Sequence, residues 1–425
     1  MKKILKIVGI IVGAIVLLVA GFIGFLKVAG MPSFSNVKRP DVHVEVTPVR
    51  VERGRKIMGM LCYNCHYNAA TNKLSGHFLN ESPPVFGKIY SHNITSDKTN
   101  GIGGWTDGEI LYFLRTGIHK NNEYVPPYMP KFPHMAEEDI QSLVAYLRSN
   151  DSLVAPSTAP DTAEEPSLLA LFLGRFVFKP YSYPTENIPL PPAGNSVAVG
   201  KYWAASVLDC YQCHSADFKT NDGLNPEKSV GFFGGGNELT DPIGKPVFSR
   251  NITPDMEHGI GKWTPGMFLR ALRDGLRPDN TALRYPMARF PELSDSEIVA
   301  IYDYLRTVPS LSTPNKQSAD YKYANANPSD GEKVYYKYAC YACHGQNGIG
   351  MCDLTHACDK YHSDEELTNW IKNPSKIIPG TKMPTWEGTI REEEFAPLVQ
   401  YVRQLGHETQ AKLKENSQKT TASLK

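Results

Sequence analysis

The pentapeptide Cys-x-x-Cys-His occurs three times in this chain, at Cys62-Tyr-Asn-Cys65-His66, Cys210-Tyr-Gln-Cys213-His214 and Cys340-Tyr-Ala-Cys343-His344. Thiols three positions apart lie about one helical turn apart, and the histidine follows directly on the second. This is the attachment signature of haem c. Each thiol can form a thioether with one vinyl group, while the imidazole supplies the proximal iron ligand. Covalent attachment suits a domain too small to enclose its cofactor by burial alone. A zinc site would need four ligands, usually from a second cysteine pair or two further histidines, and the first two segments have no second pair. A redox Cys-x-x-Cys needs no following histidine and sits in a βαβ context. A disulfide closing so short a loop would add little stability. The three motifs together predict three covalently bound haems.

An internal repeat surrounds the first two motifs. Residues 93–148 match residues 251–306 at a constant offset of 158 without a gap. Both copies read Asn-Ile-Thr, then an Asp, then Gly-Ile-Gly-x-Trp-Thr, then Leu-Arg-x-Gly, a Met and Phe-Pro. The cysteine motifs are offset by only 148, so the second copy holds ten extra residues before its Asn-Ile-Thr. The glycine-rich stretch 231–244 is the expected place for them, because loops absorb insertions best. The third segment lacks the Asn-Ile-Thr block.

Each segment is expected to close on a helix. Ile140, Leu143, Val144 and Leu147 fall at i, i+3, i+4 and i+7, as do Ile298, Ile301, Tyr302 and Leu305, and again Phe395, Leu398, Val399 and Val402. Ser294 with Glu297 forms a capping box. A further helix leads into each cysteine pair, and strand alternation is scarce. The expected architecture is all-α: three tandem small domains over 48–150, 196–308 and 328–407, behind a transmembrane helix within residues 1–30. Linkers fill 151–195 and 309–327, and a tail over 408–425 has too few apolar residues to hold order. The first linker contains an apolar patch, 168–178, expected to dock on a neighbouring domain.

The N-terminus predicts where these domains lie. Lys2, Lys3 and Lys6 precede an uncharged run from Ile7 to Leu26. At 1.5 Å per residue the run spans about 30 Å, the hydrocarbon thickness of a bilayer. Signal peptides have shorter apolar regions, though Val28-Ala29-Gly30 offers a weak cleavage site. The lysine distribution places the N-terminus in the cytoplasm and the rest on the periplasmic side of the inner membrane. A net charge of +1 gives no basic excess for nucleic acid.

Three methionines are candidate distal ligands. Met129 and Met287 occupy equivalent places before Phe-Pro, and Met383 sits in a loop flanked by Pro379 and Pro384. The metal ligand sets are thus His66 with Met129, His214 with Met287 and His344 with Met383. Methionine is usually core filler, and Met135 competes in the first segment, but Leu293 stands at its repeat-equivalent position. His77, His92, His119 and His134 read as surface or loop residues. Iron closed by Met and His on both faces transfers electrons and does not readily bind oxygen or peroxide. No catalytic residue is expected. A multihaem peroxidase or a gas sensor would instead need one open iron. Trp105 and Trp263 suit the wall of a haem pocket. Cys352 and Cys358 read as a disulfide closing a loop; exposed thiols with a regulatory role are the minor reading, and a metal site including His356 has thinner support.

The string Cys210-Tyr-Gln-Cys213-His214, Phe233-Gly-Gly-Gly, Asn251-Ile-Thr-Pro-Asp255, Gly259-Ile-Gly-x-Trp263 and Tyr285-Pro-Met287 resembles the multihaem cytochrome c subunit of membrane-bound alcohol, gluconate and sorbitol dehydrogenases. The likeness covers roughly residues 50–310. It implies a membrane-bound subunit that takes electrons from a partner dehydrogenase and passes them to ubiquinone or onward to the respiratory chain. The third segment looks more like a small class I cytochrome c. The N-terminal position of the anchor also departs from the family, whose subunit is typically tied near its C-terminus. A terminal oxidase is therefore an alternative acceptor.

Overall fold

The computed structural model describes the chain apart from residues 1, 69, 80–81, 241–244, 319–326, 349–353, 355, 379–380, 382 and 424–425. It divides into two compact units, Met1–Met58 with Cys65–Leu190, and Gly59–Asn64 with Pro191–Lys425.

The first unit begins with α1 (Lys2–Ala29), of which Lys3–Ala29 is long and apolar enough to cross a membrane. Helix α2 (Pro48–Leu61) leads into the short α3 (Tyr63–His66), and α4 (Asp107–Thr116) and α5 (Glu137–Leu147) complete the frame. Thr106 and Glu109 form a capping box on α4, and Gly117 ends it in the left-handed conformation at φ 80°. The predicted stripe of α5 is buried, with Ile140, Leu143, Val144 and Leu147 all at most 4% exposed. A two-residue ladder pairs β1 (Gly87–Lys88) with β2 (Glu165–Pro166), after which α6 (Leu168–Phe172) runs on as a π turn to Val177.

The second unit carries α7 (Ser196–Tyr202), which continues as a π turn to Val207, then α8 (Cys210–His214), α9 (Pro265–Asp274) and α10 (Asp295–Leu305). The Ser294–Glu297 capping box is present on α10. Strands β3 (Glu238–Thr240) and β4 (Pro246–Phe248) pair antiparallel. There follow α11 (Asp330–Lys337), α12 (Tyr341–His344), α13 (Ala357–Lys360), α14 (Asp364–Lys372), α15 (Pro374–Ile377) and α16 (Glu392–Ser423).

Three differences from the sequence reading have physical causes. The fold is mostly helical rather than all-α, because the loops ahead of the Asn-Ile-Thr blocks and β2 supply the two ladders. Residues 196–308 and 328–407 share one unit: Leu276 enters the core built by Tyr335, Tyr336, Trp386 and Leu398, and Tyr285 packs against it. The expected tail is helical to Ser423, as its Gln, Lys, Glu and Ala residues are good helix formers that need no core.

One device recurs in all three segments. A glycine in the leading helix faces a carbonyl of the closing helix so closely that any Cβ would overlap it. The pairs are Gly54 with Ser142 O, Gly200 with Ala300 O and Gly331 with Pro397 O. Two backbones can cross at that distance only where one has no side chain. The crossing sets the leading helix, and so the cysteine motif at its end.

Candidate haem sites

Each Cys-x-x-Cys-His motif lies at the end of a leading helix, its histidine closing a turn of four or five residues in α3, α8 and α12. His66 Nδ1 lies 2.7 Å from the carbonyl oxygen of His92, and His214 Nδ1 lies 2.7 Å from that of Arg250. A carbonyl can only accept, so Nδ1 carries the proton and donates it. The lone pair on Nε2 is then left for a metal, with the ring plane already fixed. Burial holds the pKa of His66 down at about 4 and lowers that of His214, which keeps both imidazoles neutral. Burial also pushes the thiols of Cys210 and Cys340 up to about 12 and that of Cys213 to about 11. At the second motif, paired neutral thiols beside a neutral, oriented imidazole fit covalent haem. Among the described residues no group of three or more His, Cys, Asp or Glu is arranged to hold a metal ion by itself.

The Asn-Ile-Thr block explains how the accepting carbonyls are held. Asn93 Oδ1 accepts from Thr95 N and Oγ1 at 3.0 and 2.7 Å, while its Nδ2 donates to the carbonyls of Ser157 and Ala159. Asn251 repeats this with Thr253 at 2.9 and 2.7 Å and with the carbonyls of Leu311 and Thr313. The backbone N–H of Asn93 donates to Asp161, and that of Asn251 to Asn315. The first residues of each expected linker are therefore tied to the strand of chain that orients the histidine. At the far side of the block, Arg148 donates to Ile102 O at 3.2 Å and to Trp105 O, and Arg306 donates to Gly261 O at 2.9 Å.

The extra residues of the second copy do not lie in the glycine-rich stretch. Ile94 N bonds to Leu74 O, and Ile252 N bonds to Phe233 O, so Leu74 and Phe233 correspond. Eight positions separate His66 from Leu74, but nineteen separate His214 from Phe233. The insertion thus precedes Phe233, in the loop that holds the short 3₁₀ turns Phe218–Thr220 and Pro226–Lys228.

The methionine loops match bond for bond. Met129 N donates to Pro126 O and Met287 N to Arg284 O; Phe132 N donates to Leu114 O and Phe290 N to Leu272 O. Both methionines are half-buried, whereas Met135 is fully buried and Leu293 is 2% exposed. Met383 is partly buried and packs with Cys340 against the third core. Trp105 stands edge-on to His119, with ring centroids 4.5 Å apart, and Tyr302 Oη donates to the Trp263 carbonyl at 2.6 Å. His92, read as a surface or loop residue, lends its carbonyl to His66 and bonds Asp161 through its ring at 2.8 Å. Cys352 lies outside the described residues, so its pairing with Cys358 is not described; His356 pairs with Asp359.

Sequence reasoning missed Lys131 and Arg289, which are equivalent positions. Lys131 is buried, and its Nζ donates to the carbonyls of Pro126 and Met129 at 2.6 Å each. Its alkyl chain crosses Gly117, where a Cβ would collide with it, and that of Arg289 crosses Gly275 in the same way. The charged residue two places after each methionine was the available signal.

Residues 51–151 match the family model for cytochrome c, and residues 326–402 match that for cytochrome c oxidase, cbb3-type, subunit III. The cytochrome c subunit of the quinone alcohol dehydrogenase of Gluconacetobacter polyoxogenes is 27% identical over 373 residues, covering 80% of this chain and 77% of that protein. The gluconate 2-dehydrogenase cytochrome c subunit of Pantoea cypripedii is 28% identical over 374 residues, covering 80% and 82%. Over four fifths of its length this chain is similar to dehydrogenase cytochrome c subunits. The fructose dehydrogenase cytochrome subunit of Gluconobacter japonicus is also similar, 29% identical over 329 residues and covering 69% and 63%. The chain carries cytochrome c domains, which bind haem c covalently, and its role is electron transfer rather than substrate chemistry of its own.

Proposed function

We propose that this chain is a membrane-anchored triheme c-type cytochrome that carries electrons on the periplasmic side of the inner membrane, from a dehydrogenase to quinone or the respiratory chain. α1 is the uncleaved anchor. Domains over 48–150, 196–308 and 328–407 each hold one haem, through Cys62, Cys65 and His66, through Cys210, Cys213 and His214, and through Cys340, Cys343 and His344. Met129, Met287 and Met383 complete the iron coordination. When bound, the group supplies an iron that cycles between ferric and ferrous states. The residues of the chain hold it, fix the imidazole plane and fill the distal position.

The observation that supports this reading is the duplicated bond from histidine Nδ1 to a loop carbonyl, together with two methionine loops of matching backbone bonding. The test is to replace Met129, Met287 and Met383 singly by alanine. Each change should turn one low-spin iron high-spin, and an untouched spectrum would remove that methionine from the ligand set. The intact mass should show three tetrapyrroles; two would remove one of the three sites. A second reading, a donor to a terminal oxidase, is favoured by the match of residues 326–402 to an oxidase subunit. Reduction of quinone by the purified complex decides for the first reading, and direct oxidation by an oxidase for the second.

A further inference from the structure

The segment after β2 carries the longest apolar stretch outside α1. Over α6 and its π turn, Leu168, Leu169, Phe172, Phe176 and Val177 are 37–54% exposed. At about 25 cal/mol per Å² of apolar surface, so many large side chains left in water are costly. A contiguous exposed patch of this kind marks a surface that is covered in use.

What the segment touches identifies its cover. The rings of Phe172 and Phe176 lie against Phe22 of α1, with centroids 6.4 and 6.0 Å apart. Arg175 donates to the carbonyls of Ala29, Gly30 and Met31 at 2.6, 2.8 and 3.3 Å, meeting the last carbonyl of α1 and the two that follow it. Its guanidinium also lies over the Phe25 ring at 5.6 Å. Phe22 and Phe25 are themselves 42% and 50% exposed. The apolar face of the segment thus continues the outer surface of the last turns of α1. Residues 168–179 contain no acidic side chain, while Lys27, Arg175 and Lys179 supply positive charge. Aromatic rings beside cations are the composition of a membrane–water interface.

We propose that residues 168–178 are an interfacial element that inserts in the outer leaflet of the bilayer crossed by α1. Its phenylalanines and leucines enter the acyl boundary, and Lys27 and Lys179 meet headgroup phosphates. This rests on reading α1 as an uncleaved anchor. A single spanning helix leaves the unit above it free to swivel, and a second lipid contact beside that helix holds it at the surface.

The test uses the full-length, haem-loaded protein in vesicles of phosphatidylcholine and phosphatidylglycerol. A trace phosphatidylcholine carries a photoactivatable diazirine midway along one acyl chain, and labelled peptides are mapped by mass. Residues 168–178 should take up at least about fivefold more label than the loop carrying Phe218, Leu224 and Val230, whose apolar residues are equally exposed. Label on 3–29 with none above that control on 168–178 overturns the proposal and leaves the anchor standing. If 3–29 escapes label or is missing from the mature chain, the anchor reading fails and the proposal, which rests on it, fails with it. Crosslinking of 168–178 to a co-purifying protein, without lipid label, also overturns it.

Discussion

In the first copy of the repeat, Lys131 crosses Gly117 and donates to the carbonyls of its own methionine loop; in the second, Arg289 crosses Gly275 and reaches 3.5 Å from Cys343 Sγ. The backbone device is the same: a left-handed glycine at the end of a helix gives a cation room to pass. The use differs. A buried ammonium stiffens the loop that presents Met129, and burial draws its pKa down to about 7. The longer, forked guanidinium leaves its own loop and lies beside the next cysteine motif. The comparison teaches that bonds orienting the histidine are duplicated, while bonds from the cation after the methionine are free to acquire new partners.

The largest effect should come from the part that both copies share. Gly54→Val and Gly200→Val each drive a side chain into a carbonyl of the closing helix and should cost about 3 kcal/mol or more. Urea unfolding followed by circular dichroism measures this, and an unmoved midpoint in one copy would break the equivalence of the crossings. Asn93→Ala and Asn251→Ala each remove two acceptor and two donor contacts from a buried site. A loss of about 2–3 kcal/mol is expected in each, equal between copies within experimental error.

Smaller changes sharpen the contrast. Lys131→Met should cost about 1–2 kcal/mol by leaving two carbonyls without their donor. Arg289→Met should cost less stability but lower the reduction potential of the haem proposed at Cys340 and Cys343, since a nearby positive charge favours the reduced iron. Spectroelectrochemistry resolves this, and a shift confined to the second haem would reassign the contact.

The smallest effect concerns Glu394, which precedes Phe395 as Asp139 precedes Ile140 and Glu297 precedes Ile298. Burial alone would raise its pKa, but hydrogen bonds from Arg391, Lys337 and Tyr338 outweigh that and hold it at about 2. Its folded pKa lies below the ordinary 4.5, so its stabilisation is complete above that value. Stability should fall as pH drops from about 4.5 toward 2, and Glu394→Gln should flatten that part of the acid-unfolding curve.

The cysteine motifs, the 158-residue offset and the three closing helices were legible because each is a local pattern of strong chemistry or strict period. The glycines at the crossings were not. A single glycine in a helix signals nothing until the opposing backbone is known, and the partner lies 66 to 100 residues away. The insertion was misplaced for a related reason: flexible-looking glycines drew attention, yet their hydrogen bonds keep Phe233 in step with Leu74. Lys131 and Arg289 were hidden because a cation beside a methionine reads as solvated surface. The apolar patch at 168–178 was expected to dock on a neighbouring domain; it lies against the end of its own unit's first helix.

The bonds from Asn93 to Ser157, Ala159 and Asp161, and from Asn251 to Leu311, Thr313 and Asn315, bear on how this molecule can be cut. What reads as a free tether begins as a belt, buckled onto the peptide that aims the imidazole. Trimming at residue 150 or 308, where the helices end, would open the buckle and leave that peptide slack. Fragments meant to load haem singly should run to at least Asp161 and Asn315.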